Sequence, residues 1–146
     1  MGPVDANILG PVHGGVIMKL CDEAAGLAAT RHARARVVTA ACDRMTFLVP
    51  VYVGELVTLA ARVNAVWRSS MEVGVRVEAE NLLTGERRHT NSAYLTIVAV
   101  DEAGRPIAVG PLAAGDEEAH RREREAQIRR TNRLDERERL KSERPG

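Results

Sequence analysis

The first long apolar stretch of the chain has the period of a helix rather than that of a strand. It follows a Gly- and Pro-rich loop over residues 3–15 and reads VIMKLCDEAAGLAATRHA. One helical face and an adjacent stripe are apolar, and only a narrow strip is polar. The apolar face carries Ile17, Leu20, Cys21, Ala24 and Ala28, and the adjacent apolar stripe carries Met18, Ala25 and Ala29. The polar strip carries Lys19, Glu23, Gly26 and Thr30. Because a helix that is apolar around most of its circumference packs inside a protein, we predict a central helix buried on most sides.

Four β-rich runs follow the helix, at about residues 36–49, 54–67, 70–83 and 87–100. The third run alternates between apolar and charged positions, as a strand with one buried face does. Its two sets are Met71, Val73, Val75, Val77 and Ala79, and Glu72, Arg76, Glu78 and Glu80. Short connections between the runs predict an antiparallel meander with hairpins. The sequence therefore predicts an α+β domain in which an antiparallel sheet wraps around the helix.

A sheet of this kind has unpaired edges that favour pairing with a second chain. Backbone N–H and C=O groups at an exposed edge lack partners and form a template for another strand. We therefore expect a dimer on structural grounds alone.

The composition changes sharply at residue 116. From there to residue 146 the chain holds ten Lys or Arg and nine Asp or Glu, with few apolar positions. Such a segment favours a helix through i,i+4 ion pairs but has too little apolar surface for a core. We predict a domain over residues 1–115 and a charged extension over 116–146, either disordered or a helix that is solvated or stabilised by a partner.

Overall composition excludes several functional classes. The 146 residues suffice for one domain, and the net charge of +1 argues against nucleic-acid binding. Two cysteines without CxxC spacing form neither a disulfide framework nor a zinc site. The four histidines show no metal-ligand spacing. Neither a membrane span nor a signal peptide is evident, so we expect a cytoplasmic protein.

Asp22 is the first candidate for chemistry. It lies on an apolar stripe of the predicted helix, beside Met18 and Ala25. A carboxylate desolvated at such a position has a raised pKa and suits a general base or a nucleophile. A surface acid paired with Lys19 or Arg31 is an equally open interpretation from position alone.

The residues before the helix supply further candidates. In His13-Gly14-Gly15 the glycines permit close backbone approach, and the first N–H groups of a helix are free to hold an oxyanion. About two helical turns separate Gly15 from Asp22, so a water or a second chain is needed to join them. Asn7 could orient a water, although a turn-forming role is its ordinary one.

Two polar clusters at predicted turns are candidate phosphate contacts. They are Arg68-Ser69-Ser70 and Arg87-Arg88. Guanidinium and hydroxyl groups bind phosphate oxygens, although such residues are usually solvated hairpin ends.

Taken in order, several segments resemble the hotdog-fold acyl-CoA thioesterases. They are DANILGPVHGGVIMKLCDEAAGLAATRHA, VVTAACDRMTFLVPVYVGELV, SSMEV and NLLTGERRHTNSAYLTIVAV. The branch they resemble is the cytosolic (brain-type) acyl-CoA hydrolases, with their bacterial single-domain relatives. The resemblance implies a helix wrapped by an antiparallel sheet, paired as a homodimer with composite sites, and trimers of such dimers.

The resemblance also implies site residues. In that family an Asn before HGG and an Asp in the following helix form the catalytic pair and come from different hotdog units; Asn7 and Asp22 occupy these positions. The family has a strand before the DAN segment, whereas this sequence begins at Met1-Gly2-Pro3. We therefore expect either that translation starts upstream of Met1 or that this edge strand is missing.

Three functions follow from these residues. The first is hydrolysis of acyl-CoA at the dimer interface, with Asp22 as base or nucleophile, Asn7 of the partner subunit, and an oxyanion held by Gly14 and Gly15. CoA is then part of the substrate, and no cofactor is expected. The second is a hotdog hydratase or dehydratase that uses His13. The third is a non-catalytic acyl-CoA-binding module.

Overall fold

The computed structural model describes residues 11–43 and 45–145. It contains two helices and five strands within these ranges. In chain order they are α1 (Gly14–Ala33), β1 (Arg36–Cys42), β2 (Thr46–Phe47), β3 (Leu56–Val66), β4 (Ser70–Glu80), β5 (Arg87–Val100) and α2 (Glu117–Ser142).

Helix α1 packs on the sheet with one face only. Its buried residues, Ile17, Cys21, Ala25 and Ala29, recur at every fourth position, as one helical face requires. The opposite side is open, and Leu27 there is 74% exposed. The expectation of a helix buried on most sides is therefore wrong for the single chain, because the sheet covers only one side of α1.

The strands form one antiparallel sheet in the order β1-β5-β4-β3, and β2 also pairs with β5. The α+β class is confirmed, and the meander is confirmed for β3, β4 and β5. For the first predicted run the meander is wrong, because β1 and β2 pair with β5 at the opposite side of the sheet from β3. The first predicted strand is interrupted between β1 and β2, and within β1 the register against β5 also shifts between Thr39 and Ala41. After Cys42 the chain leaves the ladder, and it resumes pairing only at Thr46 and Phe47.

The alternation predicted for β4 is confirmed by its burial. Its five apolar side chains are buried and, with those of β5, face α1 as the core. The β5 residues of that core are Ala93, Leu95, Ile97 and Ala99. On the opposite, outer face of β4, Glu72 is also buried, with 1% of its surface exposed. A buried carboxylate needs a partner, and the second helix supplies it.

Helix α2 crosses the outer face of the sheet. Along its length it meets the strands in their spatial order. Ala119 and His120 lie beside β3, Arg129 reaches Glu72 of β4 and Tyr94 of β5, and Arg133 pairs with Asp43 just after β1. The helix expected as solvated or partner-stabilised is therefore supported by its own sheet. It is confirmed as a helix, with Asp116 as its N-cap.

The contacts beneath α2 are mostly ionic. Arg129 donates to both carboxylate oxygens of Glu72 over 2.7 and 2.8 Å, and Asn64 Nδ2 donates to Oε2 over 3.0 Å. The guanidinium of Arg129 also lies 3.7 Å from the centre of the Tyr94 ring. Gly74 leaves room for Asn64, since a Cβ at residue 74 would lie 2.6 Å from Asn64 Nδ2. Ion pairing therefore replaces the apolar surface that the α2 sequence lacks.

Neither described helix is long and apolar enough to cross a membrane.

Replacing Arg129 by Met should lower the free energy of unfolding by about 2–4 kcal/mol, because it leaves the buried Glu72 carboxylate without its cation. Denaturant titration followed by circular dichroism measures this change. Arg130→Met is the matched control, since Arg130 on the same helix makes a cation–π contact with Trp67. Equal losses in the two variants would contradict the assigned role of the Glu72 pair.

Candidate active site

Asp22 and Thr39 form a hydrogen-bonded pair between α1 and β1. The hydroxyl Oγ1 of Thr39 donates to Oδ1 of Asp22 over 2.5 Å. Thr39 pairs with Ile97 of β5 immediately before the register shift in β1. The strand therefore holds a hydroxyl against the third turn of the helix. Sequence reasoning missed Thr39, although a hydroxyl within the apolar run Val37 to Ala41 was the available signal.

The surroundings of Asp22 are open in the single chain. Asp22 is exposed, as are Met18 one turn earlier and Phe47, which are 46% and 44% exposed. Strand β1, which carries Thr39, lies at the edge of the sheet. The desolvation expected for the Asp22 carboxylate is therefore not provided by the described residues of one chain.

The start of α1 presents backbone donors that have no acceptor among the described residues. The N–H of Val16 donates to the carbonyl of His13 over 3.1 Å. For Gly14 and Gly15, the part of the chain that the structure describes offers their N–H groups no acceptor. Because these groups carry the positive end of the helix dipole, they are suited to an anion or a developing oxyanion.

The two glycines differ in their surroundings. A Cβ on Gly14 would lie 3.3 Å from Cζ of Phe47, whereas a Cβ on Gly15 would meet nothing within 4 Å. Gly15 and Asp22 are seven residues apart on one helix, which is about 10 Å along its axis. The Asp22 carboxylate is therefore too far to act on a carbonyl bound at Gly15 of the same chain.

The two cysteines do not supply a nucleophile. Cys21 is fully buried, and burial raises the pKa of its thiol to about 11. Burial, followed by the charges of Asp43 and Asp22, raises the pKa of the Cys42 thiol as well. Both side chains are therefore thiols at neutral pH, in agreement with the predicted core role of Cys21.

The predicted phosphate contacts do not come together within one chain. Arg68, Ser69 and Ser70 lie at the start of β4, while Arg87 and Arg88 lie opposite its end. The eleven residues of β4 span roughly 30 Å, so a single phosphate group cannot contact both clusters in one subunit. The two clusters are therefore separate candidates for phosphate binding within one chain.

Arg88 has a structural partner. Its two terminal nitrogens donate to Glu55 over 2.8 and 2.7 Å, and one also donates to the Pro50 carbonyl. These hydrogen bonds hold the pKa of the Glu55 carboxyl below its usual value. Arg88 therefore ties the loop before β3 to β5, and its role in phosphate binding stays a prediction.

The remaining predicted site residues are His13 and Asn7. His13 is the exposed N-cap of α1, and its side chain makes no capping bond. Asn7 lies outside the described residues. Within residues 11–43 and 45–145, no cluster of His, Cys, Asp and Glu could hold a metal ion.

Comparison with known proteins identifies the family. The model of the thioesterase superfamily matches residues 9–86. The chain belongs to this superfamily. Protein VdlD of Helicobacter pylori is 42% identical over 104 residues, which are 71% of this chain and 59% of that protein. The cytosolic acyl coenzyme A thioester hydrolase of Rattus norvegicus is 36% identical over 84% of this chain and 32% of its own length. This chain thus spans about three fifths of VdlD.

Solved structures of thioesterases confirm the hotdog fold. An apo-hexameric acyl-CoA thioesterase has a TM-score of 0.89 and 42% identity, over 93% of this chain and 87% of that one. An acyl-CoA hydrolase of Staphylococcus aureus, solved with butyryl-CoA, CoA and CoA disulfide, has a TM-score of 0.88 and 32% identity, over 97% and 87%. Variants of that hydrolase with an aspartate, an asparagine or a threonine replaced by alanine also match.

Gly14→Ala should lower the free energy of unfolding by about 1 kcal/mol, because the new methyl group displaces the Phe47 ring. Gly15→Ala is the matched control and should leave stability unchanged or slightly higher, since its methyl group enters open space in a helix. Thermal unfolding of the two variants measures the difference. Equal melting temperatures would show that Phe47 does not restrict position 14.

Proposed function

We propose that this chain hydrolyses acyl-CoA to a free acid and CoA, at a site completed by two copies of the chain. The observation that carries the proposal is the hydrogen bond from Thr39 to the exposed Asp22 carboxylate at the sheet edge. This geometry holds a reactive carboxylate in place while leaving it open to a substrate and a second chain.

The spacing of three residues supports this assignment. In the S. aureus hydrolase, the substituted asparagine and aspartate lie 15 residues apart, and the aspartate and threonine 17 residues apart. The same spacings separate Asn7 from Asp22 and Asp22 from Thr39 in this chain. We therefore assign Asn7, Asp22 and Thr39 to one site.

The proposed reaction is attack on the thioester carbonyl. Asp22 takes a proton from water as the water oxygen adds to the carbonyl carbon, and the N–H groups of Gly14 and Gly15 hold the oxyanion. The carbon–sulfur bond then breaks, and the departing CoA thiolate takes up the proton. Direct attack by Asp22 is the alternative: it forms an anhydride that water hydrolyses. Thr39 fixes the carboxylate for either route.

Two copies are needed because of the distance along α1. A carbonyl held at Gly15 lies about 10 Å from Asp22 of the same helix. We therefore assign Asp22 to one subunit and the glycine N–H groups that hold the carbonyl to the other. Asn7 of the partner subunit then positions the water or the carbonyl. The open apolar side of α1, including Met18, becomes the lining of the acyl site when the second copy covers it.

The unpaired edge of β1 is the proposed pairing surface, because it carries Thr39 and has β5 as its strand neighbour in the described sheet. Trimers of such dimers are part of the proposal, in keeping with the hexameric relative. A cytoplasmic location is included because the rat relative is named a cytosolic enzyme. For the CoA phosphates we retain Arg68, with Ser69 and Ser70, and Arg87 as two separate candidate groups.

Mixing two inactive variants tests the shared site. Asp22→Asn and Asn7→Ala should each abolish most hydrolysis as homodimers. Refolding them together in equal amounts should restore about a quarter of the wild-type rate, since half of the pairs are mixed and each mixed pair has one intact site. Release of free thiol from acyl-CoA measures the rate.

Each variant alone, refolded in the same way, is the control for that experiment. If both residues act within one chain, every site in the mixture contains one substituted residue and the mixture stays inactive. That result would contradict the composite site, and wild-type rates in the single variants would contradict the assignment itself.

Thr39→Val should lower kcat by about 10- to 100-fold, because Asp22 loses the donor that orients it. The side chains have similar volumes, so the fold should be retained. Thr58→Val is the matched control, on the exposed outer face of β3. Steady-state kinetics with one acyl-CoA compare the variants, and equal kcat values for both would rule out an orienting role for Thr39.

A further inference from the structure

The end of α2 continues after the last ion pair that the helix makes with the sheet. The helix crosses β3, β4 and β5 in turn and makes its last ion pair with the sheet where Arg133 meets Asp43, 3.3 Å apart. Residues Leu134–Ser142, which we call the overhang, are all exposed. They continue the helix for roughly 13 Å beyond Arg133, which meets Asp43 just after the edge strand β1.

Up to Arg133, the charged residues of α2 other than Glu123 have an ionic or cation–π partner, whereas the described structure gives none to those of the overhang. Before this point, Glu118 pairs with Arg121 and Arg122, Arg121 pairs with Glu125, and Arg129 and Arg133 pair with the sheet. In the overhang, the described structure gives no ion pair to Asp135, Glu136 or Arg139. The alternating charge pattern continues, so these residues remain available for a partner.

The unpaired charges lie on one helical face, beside a groove at the sheet edge. Asn132, Asp135, Glu136 and Arg139 have the spacing of a single face. They line a groove of about 840 Å³ together with Cys42, Asp43, Tyr94, Arg129 and Arg133. The groove thus joins the β1 edge to the overhang.

We propose that this groove receives the overhang of a second copy. The inference rests on the proposed pairing of two chains at the β1 edge. A two-fold axis at that edge carries each overhang onto the outer face of the other copy, antiparallel to its α2. Asp135 and Glu136 of one helix then meet Arg139 of the other, and the contact occurs twice. The helices clamp the dimer that completes the active site.

The pattern favours this occupant because it is self-complementary. A symmetric contact requires the acid and the base to stand on the same face, as Asp135, Glu136 and Arg139 do. Leu134 and Leu140 are exposed but do not form an apolar stripe with the groove-lining face. The contact is therefore ionic and is strongest at low salt.

Charge reversal tests the clamp. Arg139→Glu should raise the dimer dissociation constant about tenfold at low ionic strength, since like charges then face each other across the axis. Arg137→Glu is the matched control: it makes the same charge change on the side of the overhang away from the groove, and should leave the constant within twofold. Sedimentation equilibrium measures both, and equal constants would overturn the proposal.

A variant with exchanged charges provides a second test, which also works when the dimer is too tight for its dissociation constant to be measured. Asp135→Arg, Glu136→Arg and Arg139→Glu together restore complementarity, so this variant should dimerise like the wild type. Co-refolded with wild-type chain, it should form fewer mixed dimers than the statistical half, as native mass spectrometry would show. A statistical mixture would overturn the clamp.

The two proposals fail separately. Dimerisation is measured without substrate, so a protein that fails to hydrolyse acyl-CoA still reports on the overhang. Normal hydrolysis with a charge-independent dimer contradicts the clamp alone. A wild-type chain that stays monomeric at about 100 µM contradicts both, because neither the site nor the clamp then forms.

Discussion

The sheet covers only one side of α1, and the rest of the account depends on this constraint. The small residues Cys21, Ala25 and Ala29 let the inner face of the sheet approach that side closely. The other side has no counterpart in the described chain, although it carries Met18 and the Asp22 carboxylate. Thr39 holds the carboxylate at the edge of the same sheet. A second copy that pairs at this edge would cover the open side of the helix and desolvate the acid in one step.

The outer face of the sheet follows a different physical rule. Glu72 is buried there, and burying its carboxylate without a cation would cost free energy of folding. Arg129 and Asn64 donate hydrogen bonds to that carboxylate. The same arginine stacks on Tyr94, and Arg133 extends the contact to Asp43. A helix with almost no apolar surface is thereby fixed in direction across the strands. That direction leads its end towards the edge at which we expect the second chain.

Local patterns in the sequence predicted those parts of the fold that depend on local physics. The alternation of apolar and charged residues in β4 was sufficient to predict its buried face, because that face packs on α1. The break between β1 and β2 was not predicted, since it depends on how this segment pairs with β5, which is distant in sequence. The docking of α2 was missed because Glu72 reads as a solvent-facing strand position until Arg129 is known to cover it.

The candidate site was predictable in part for a related reason. Asp22 stood out as an acid among apolar residues, and the two glycines mark the start of α1. Thr39 stood out only as a hydroxyl within an apolar run, and its role comes from the packing of β1 against the helix, which no local pattern predicts. Arg88 was assigned to phosphate from its charge, whereas its partner Glu55 lies 33 residues away in the chain.

A crystal structure of the Asp22→Asn variant with a bound acyl-CoA would test the central claim most directly. The measurement is the distance from the thioester carbonyl carbon to the nearest side-chain atoms of residues 7 and 22. The account predicts that both lie within about 4 Å, directly or through one water, and that they belong to different subunits. A thioester whose carbonyl is contacted by residues of one chain alone would contradict it.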